Sequence, residues 1–384
     1  MKILFVSIPN HHFFQWANQL KESGYEVYWF DITDGAGFSE KIDWVKQFNG
    51  WKLKWDYPFR YRIKKQFPKI YSLLGQITAN KVEKVFNKIL NEIQPDIVHC
   101  FEMKLTGLPI LSTMQQNKIP FVYSSWGSDM FVYQNLGLTT DEVKIFLDRV
   151  GYLVTDCKRD FQIAKGLGFK NHFLGVYPGN GGIEIENPYI QAISNRTTIS
   201  VKGYDDGVGK ALVVLKAIET LPFDESVDFL IFSADEIVAN YVKNSDYFKQ
   251  RKVEIIYRKS FLENKLLLRK LGSCLLYIGN SISDGMPNSL LEAMGMGAFP
   301  IQSNPGKVTQ EVITNGVNGF LIENPYDVEA IAALIQTAIE NKEMRVQAQK
   351  SNVNFVQQNF NRKNLQKEII DLYQRVFLKL EDEL

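Results

Sequence analysis

"SCLLYIGNSISDGMPNSLLEAMGMGAFPIQS", residues 273–303, decides the fold. SCLLYIG (273–279) is a short apolar run. A turn with Asp284, Gly285 and Pro287 follows, then a helical pattern carrying Glu292, then two glycines and a second run, AFPIQS (298–303). Strand, helix and strand at this rhythm require a parallel sheet covered by helices on both faces.

The same rhythm extends in both directions. Upstream in the second half lie TTISVKG (197–203), VDFLIFSA (227–234) and KVEIIYR (252–258), each followed by a helical stretch. The first half holds KILFVSI (2–8), EVYWFDI (26–32), DIVHCF (96–101), FVYSSWG (121–127) and YLVTDC (152–157). The break falls in the Gly/Asn/Pro-rich region YPGNGGIEIENPYIQAISN (177–195), which reads as a linker. The expected class is α/β: two Rossmann-like, doubly wound domains, 1–188 and 198–360, joined at 189–197, with a ligand held in a deep cleft at the carboxyl ends of the strands. Leu365, Ile369, Leu372, Val376 and Leu380 recur near every 3.6 residues. They predict a final amphipathic helix over 361–384 that packs back on the N-terminal domain.

At 384 residues the chain suits two domains, and 45% hydrophobic with 23% charged residues is globular. A net charge of +1 gives no electrostatic case for nucleic acid. Three scattered cysteines, Cys100, Cys157 and Cys274, argue for a reducing, cytoplasmic setting rather than a disulfide framework. MKILFVSIP reads as a strand, not a signal peptide, and no run is long enough to span a bilayer. No metal-ligand cluster stands out. Residues 41–70 depart from the rhythm, with nine Lys/Arg against two Asp/Glu and eight aromatics, Trp44, Trp51 and Trp55 among them. Such a mixture suits peripheral contact with an anionic membrane, and equally a surface excursion whose aromatics plug the core.

The chemistry concentrates around Pro287, which tolerates the first helical position because its missing N–H costs nothing there. Free amides of the first turn, at Asn288 and Ser289, with the helix dipole behind them, suit phosphate. Gly285 lets backbone approach a ligand closely. Asp284 can accept hydroxyls before the turn, and Glu292, eight residues later, can accept both hydroxyls of a vicinal diol such as ribose. Carboxylate, phosphate-binding amides and a second carboxylate follow the order sugar, diphosphate, ribose. The same residues also suit ordinary capping, with Glu292 a solvated helix residue. Both readings stay open at this level.

Residues 274–322 resemble the donor-binding region of the retaining glycosyltransferases of family four, which have the GT-B fold. DGMPNSLLEAMGMGAFPIQS resembles the family's Glu-x7-Glu segment with Asp284 in place of the first Glu, and PGKVTQEVITNGVNGFLIENPYDVEAIAALI (305–335) continues the likeness. The resemblance implies that Glu292 holds ribose hydroxyls, that Asp284 contacts the donor sugar and that the backbone at Met286 and Asn288 faces sugar or phosphate. In VKGYDDGVGKAL (201–212), Gly203 and Tyr204 stand where the family has Gly-Arg, and Lys210 fits the family's Lys with a one-residue offset. Lys202 and Arg258 are candidates for the missing cation. PDIVHCFE (95–102) and YSSWGSDMF (123–131) resemble N-terminal segments, with Trp126 at the usual His. His99 and Asp129 are the catalytic candidates from this half, beside Asp284 and Lys210. A His on an apolar strand is also commonly a core residue, and Asp129 equally suits a cap. His11, His12, Phe13 and Trp126 are expected to line the acceptor side.

The implied reaction is retaining transfer from a nucleoside-diphosphate sugar, a UDP-sugar before a GDP-sugar, to a glycan or lipid-linked acceptor. It implies no metal or other cofactor; the basic, aromatic 41–70 segment points to the lipid-linked glycan of surface polysaccharide assembly and to a cytoplasmic protein peripheral at the inner face of the plasma membrane. Rival readings are a phosphorylase or epimerase of the same fold and a non-catalytic nucleotide-sugar binder. A dinucleotide oxidoreductase would need Gly-x-Gly-x-x-Gly after strand one, and IPNHHFF (8–14) has no glycine.

Overall fold

The computed structural model describes residues 1–35, 37–53, 66–67, 78–185, 187–260 and 262–383. The chain divides into two units: 1–156 with 160–181 and 366–384, and 157–159 with 182–365. Each contains one wholly parallel sheet with helices.

The first unit's sheet has seven strands: β1 (Lys2–Ser7), β2 (Glu26–Asp31), β3 (Lys46–Phe48), β4 (Ile97–Phe101), β5 (Phe121–Ser124), β6 (Tyr152–Thr155) and β7 (His172–Val176). Their order is β3-β2-β1-β4-β5-β6-β7, so it reverses between β1 and β4. Ile3 through Val6 and all of β4 are buried, which is why these strands read as continuous apolar runs rather than alternating ones. The His11–Asn18 helix starts where the Asn10 side chain accepts from the Phe13 amide at 2.8 Å.

The second unit's strands are β8 (Thr198–Lys202), β9 (Asp228–Ala234), β10 (Val253–Tyr257), β11 (Cys274–Gly279), β12 (Phe299–Ser303) and β13 (Phe320–Ile322). Their order is β10-β9-β8-β11-β12-β13, reversing between β8 and β11. The quoted βαβ stretch is β11, the Asn288–Gly295 helix and β12. Both units are therefore Rossmann-like.

Residues 189–197 differ from a free linker. Ile193 is buried in the second unit's core, and the buried Arg196 donates to the carbonyls of Gln191, Cys274 and Met296. A guanidinium with several donors can satisfy carbonyls that no strand partner reaches.

The Arg362–Glu383 helix lies with the first unit from Gln366 onward. Ile369, Leu372, Tyr373 and Val376 are buried. Tyr373 Oη accepts from Trp16 Nε1 at 2.9 Å and lies 2.6 Å from His99 Nδ1, closing a buried network across 357 residues of sequence.

Trp44 and Trp51 are tied to the first unit: their indoles donate to Asn18 Oδ1 (2.9 Å) and to the Asp31 carbonyl (2.7 Å). For these two, the aromatic excursion is anchored rather than presented. Trp55 and the remaining basic residues at 54–65 and 68–70 lie outside the described residues. Among the described residues, no helix is long and apolar enough to cross a membrane.

Candidate functional site

In open α/β sheets, ligands bind beyond the carboxyl ends of strands where the strand order reverses. In the second unit that point lies between β8 and β11, whose ends lead directly to Lys202 and to the 280–287 turn. Pro287 is the N-cap of the Asn288–Gly295 helix, and no side chain caps it. Asp284 instead accepts from the neighbouring Gly285 amide, so it is not the helix cap. Gly285 and Met286 are buried, and Asn288 and Ser289 are half-buried. Ser289 Oγ lies 3.0 Å from the Tyr277 hydroxyl, which donates to Gln302 at 3.2 Å and so ties the helix to β11 and β12.

Glu292 is not a solvated helix residue: it is 8% exposed. Burial raises its carboxyl from the usual 4.5 to about 7, opposed by a hydrogen bond from Asn264 and by the charge of Lys202. Asn264 Nδ2 donates to Glu292 Oε1 at 2.8 Å. Asp284 is likewise raised by burial despite Lys202, whose Nζ lies 3.8 Å from Asp284 Oδ2. Their side chains are 21% (Lys202) and 28% (Asp284) exposed. Burial pulls the Lys202 ammonium down, but Asp284, Tyr277, Tyr204 and Glu292 together outweigh it, and the net shift is up. Lys202 thus stands in the field of both carboxylates, which lie eight residues apart in sequence.

Tyr204 carries two cations on its ring, Lys202 Nζ at 4.9 Å and the Arg258 guanidinium at 4.0 Å from the centroid. Arg258 also pairs with Asp206 (2.8 Å) and Asp235 (3.4 Å). The two cations beside Tyr204 thus come from the end of β8 and from the residue after β10. Lys210 donates from Nζ to the Gly207 carbonyl at 2.6 Å and lies 5.5 Å from the Tyr326 ring. Gly203 is required by packing: a Cβ there would lie 2.7 Å from Ala234 Cα.

In the first unit the structure corrects three sequence assignments. His99 is fully buried, with its ring nitrogens 2.6 Å from Tyr373 Oη and 2.8 Å from Ser124 Oγ; burial drives its pKa well down, so it is a neutral core residue rather than a catalytic base. Asp129 is 2% exposed and accepts from the Met103 amide (2.9 Å), the Tyr123 hydroxyl (2.6 Å) and the Trp126 amide (2.8 Å). Its carboxylate latches the turn after β4 to the turn after β5 instead of presenting itself to a substrate. Phe13 is wholly buried against Phe5, Trp29 and Phe101, so it does not line an open surface.

His11 is exposed and His12 half-buried at the start of their helix. The His12 ring lies 6.5 Å from that of Trp126, across the carboxyl ends of β1 and β5. Glu102, between them in the fold, was not singled out from sequence. It has φ +76°, is buried, and its carboxyl is raised to about 7 by burial and then by Asp129. Asn264 was also missed, because nothing in its local pattern announces a contact with a residue 28 positions away.

A model described as "Glycosyl transferase 4-like" matches residues 2–156, and one described as "Glycosyl transferases group 1" matches 213–354. An uncharacterized glycosyltransferase of Methanocaldococcus jannaschii is 28% identical over 173 residues, 42% of this chain and 41% of that one. The match thus spans about two fifths of that relative's length. Sucrose-phosphate synthase from Thermosynechococcus elongatus superimposes with a TM-score of 0.71 at 14% identity, covering 99% of this chain and 100% of that one. HepE of Anabaena, solved with UDP-glucose, gives 0.65 at 13% identity over 98% and 100%. At such identities the likeness is one of fold. The two models together account for most of both Rossmann-like units, and the chain belongs to the group 1 glycosyltransferases, with a family-four-like N-terminal half.

Proposed function

We propose that this protein moves a sugar from a nucleoside-diphosphate sugar to an acceptor hydroxyl, with retention at the anomeric carbon. The observation that carries the reading is Lys202 lying in the field of Asp284 and Glu292 at the β8/β11 reversal. Glu292 takes the ribose diol and Asp284 the sugar hydroxyls. The diphosphate lies between them, against Lys202 and the uncapped first turn of the 288–295 helix.

In the reaction, the bond between the anomeric carbon and the diphosphate oxygen breaks, and a bond to the acceptor oxygen forms on the same face. The acceptor proton passes to the departing diphosphate. Lys202, assisted by Arg258 and Lys210, stabilises the charge that develops there; no metal is needed for this. The solved HepE complex with UDP-glucose favours a UDP-sugar over a GDP-sugar. The basic, aromatic 41–70 stretch favours a glycan acceptor carried on lipid at an anionic, cytoplasm-facing membrane. A second reading, donor binding without transfer, draws on Tyr204 and Trp126 standing at the usual Arg and His.

Thermal stabilisation across a panel of nucleoside diphosphates and their sugars identifies the donor. Turnover of that donor with lipid-linked and free glycans in the presence of a chelator, followed by anomeric analysis of the product, tests transfer, stereochemistry and metal independence together. Stabilisation without turnover on any acceptor supports the binder. Release of free sugar phosphate with inorganic phosphate indicates a phosphorylase. Association with phosphatidylserine vesicles tests the membrane contact, and no binding removes it.

A further inference from the structure

Glu292 can serve a ribose only if its carboxylate is held and turned toward the ligand, yet it sits on a helix whose residues 290–295 are all buried. One of its oxygens is fixed: Asn264 Nδ2 donates to Oε1 at 2.8 Å from a separate helix, Asn264–Leu271, that follows β10. Asn264 is the first residue of that helix and is exposed, so the contact reaches inward from the surface to a buried acid. We infer that Asn264 is the positioning residue of the donor site: by occupying Oε1 it leaves Oε2 for the vicinal hydroxyls of the nucleoside. This inference rests on the proposed nucleotide-sugar reading and adds a residue that reading does not contain.

The electrostatics point the same way. The amide dipole favours the ionised carboxylate against the burial that opposes it. The other groups in this field are Lys202 at the end of β8, Tyr277 on β11 and Asp284 in the turn. Removing the Asn264 donor while leaving those three in place therefore pushes the Glu292 carboxyl higher. Binding that depends on the carboxylate is then lost at a higher pH than in the unaltered protein.

The test measures affinity of the full chain for UDP, 2′-deoxy-UDP and inorganic diphosphate across pH 5.5–9, and repeats it with GDP and its deoxy analogue. Asn264→Ala is expected to weaken the ribonucleoside diphosphate about tenfold or more, the effect of a hydrogen bond to a charged group. It should shrink the preference for the ribo- over the deoxy-nucleotide, spare inorganic diphosphate, and move the pH midpoint of binding upward from about 7. Asn264→Gln, which keeps an amide donor, should recover most of the loss; Asn264→Asp should be worse than Ala at neutral pH and improve on acidification. A ribo/deoxy preference and a pH midpoint unchanged in Asn264→Ala overturn the inference. Glu292→Gln separates the levels. If it abolishes the ribo/deoxy preference while Asn264→Ala does not, only the positioning role falls. If it leaves that preference intact, or if the unaltered protein binds neither UDP nor GDP, the donor-site reading falls with it.

Discussion

Replacing Glu292 by Gln removes a charge that the fold disfavours, so the variant should be more stable than the parent while binding donor less well. The carboxyl rests near 7 in the folded protein against an ordinary 4.5, a gap of 7 − 4.5 = 2.5. At about 1.36 kcal/mol per pH unit this corresponds to ~3 kcal/mol. The folded state holds the proton more tightly than the unfolded chain. Below pH 4.5 both are protonated and the acid costs nothing. As pH rises toward 7 the unfolded chain ionises first, and the folded state loses relative stability up to the full ~3 kcal/mol. Gln is neutral throughout and can still accept from Asn264 through its amide oxygen. For a unit of this size, ~3 kcal/mol corresponds to roughly 6–12 °C in melting temperature. Scanning calorimetry of both proteins at pH 8 and pH 4.5 reads the difference. Hydrogen exchange in β8, β11 and the 288–295 helix assigns it to the second unit. The expected result is a Gln variant that melts higher at pH 8 and equally at pH 4.5. A variant that melts at or below the parent at pH 8, or a gap independent of pH, refutes the claim that Glu292 is a buried charge held for function.

Three further outcomes follow from the same geometry. Tyr373→Phe leaves the Trp16 N–H and one His99 nitrogen buried without a partner, which should cost about 2–5 kcal/mol and expose the C-terminal helix to limited proteolysis before the rest of the chain. Lys202→Met should reduce affinity for a nucleoside diphosphate at least tenfold while leaving affinity for the bare nucleoside within about twofold, and equal losses for both ligands would place the lysine away from the phosphates. Gly203→Ala forces a Cβ to 2.7 Å from Ala234 Cα, so chemical denaturation should show a loss of about 1–3 kcal/mol; no loss would mean that the β8 and β9 ends can separate freely.

Why so much of the fold is visible in the sequence follows from the periodicity of its apolar residues. A strand buried on both faces reads as a nearly continuous apolar run, as Ile3–Val6 of β1 and Leu275–Ile278 of β11 do. A helix lying on a core must be apolar on one stripe, as Ile369, Leu372 and Val376 are. The grouping of Asp284, Gly285, Pro287 and Glu292 was legible for a related reason: they are bound into one strand–turn–helix, so their separation in space is set by local geometry. At His99, Asp129 and Phe13 the sequence left open or missed a structural role for one reason. Exposure of each depends on which other element covers the residue, not on its own local pattern. His99 is buried by Tyr373 and Ser124, and Asp129 by Met103 and Tyr123.

The order of apolar runs, the placement of Pro and Gly, and the helical repeat at the chain's end thus determined two α/β units and the composition of the 280–287 turn. Tertiary structure decided what acts with that turn. Lys202 meets Asp284 from 82 residues away, Arg258 meets Tyr204 from 54, and Asn264 meets Glu292 from 28. Residues so far apart are brought together by sheet order and helix packing, which arise from burial of the whole core and leave no mark on the residues themselves. The same packing withdraws water from Glu292, and only that desolvation turns an ordinary helix glutamate into an acid near 7.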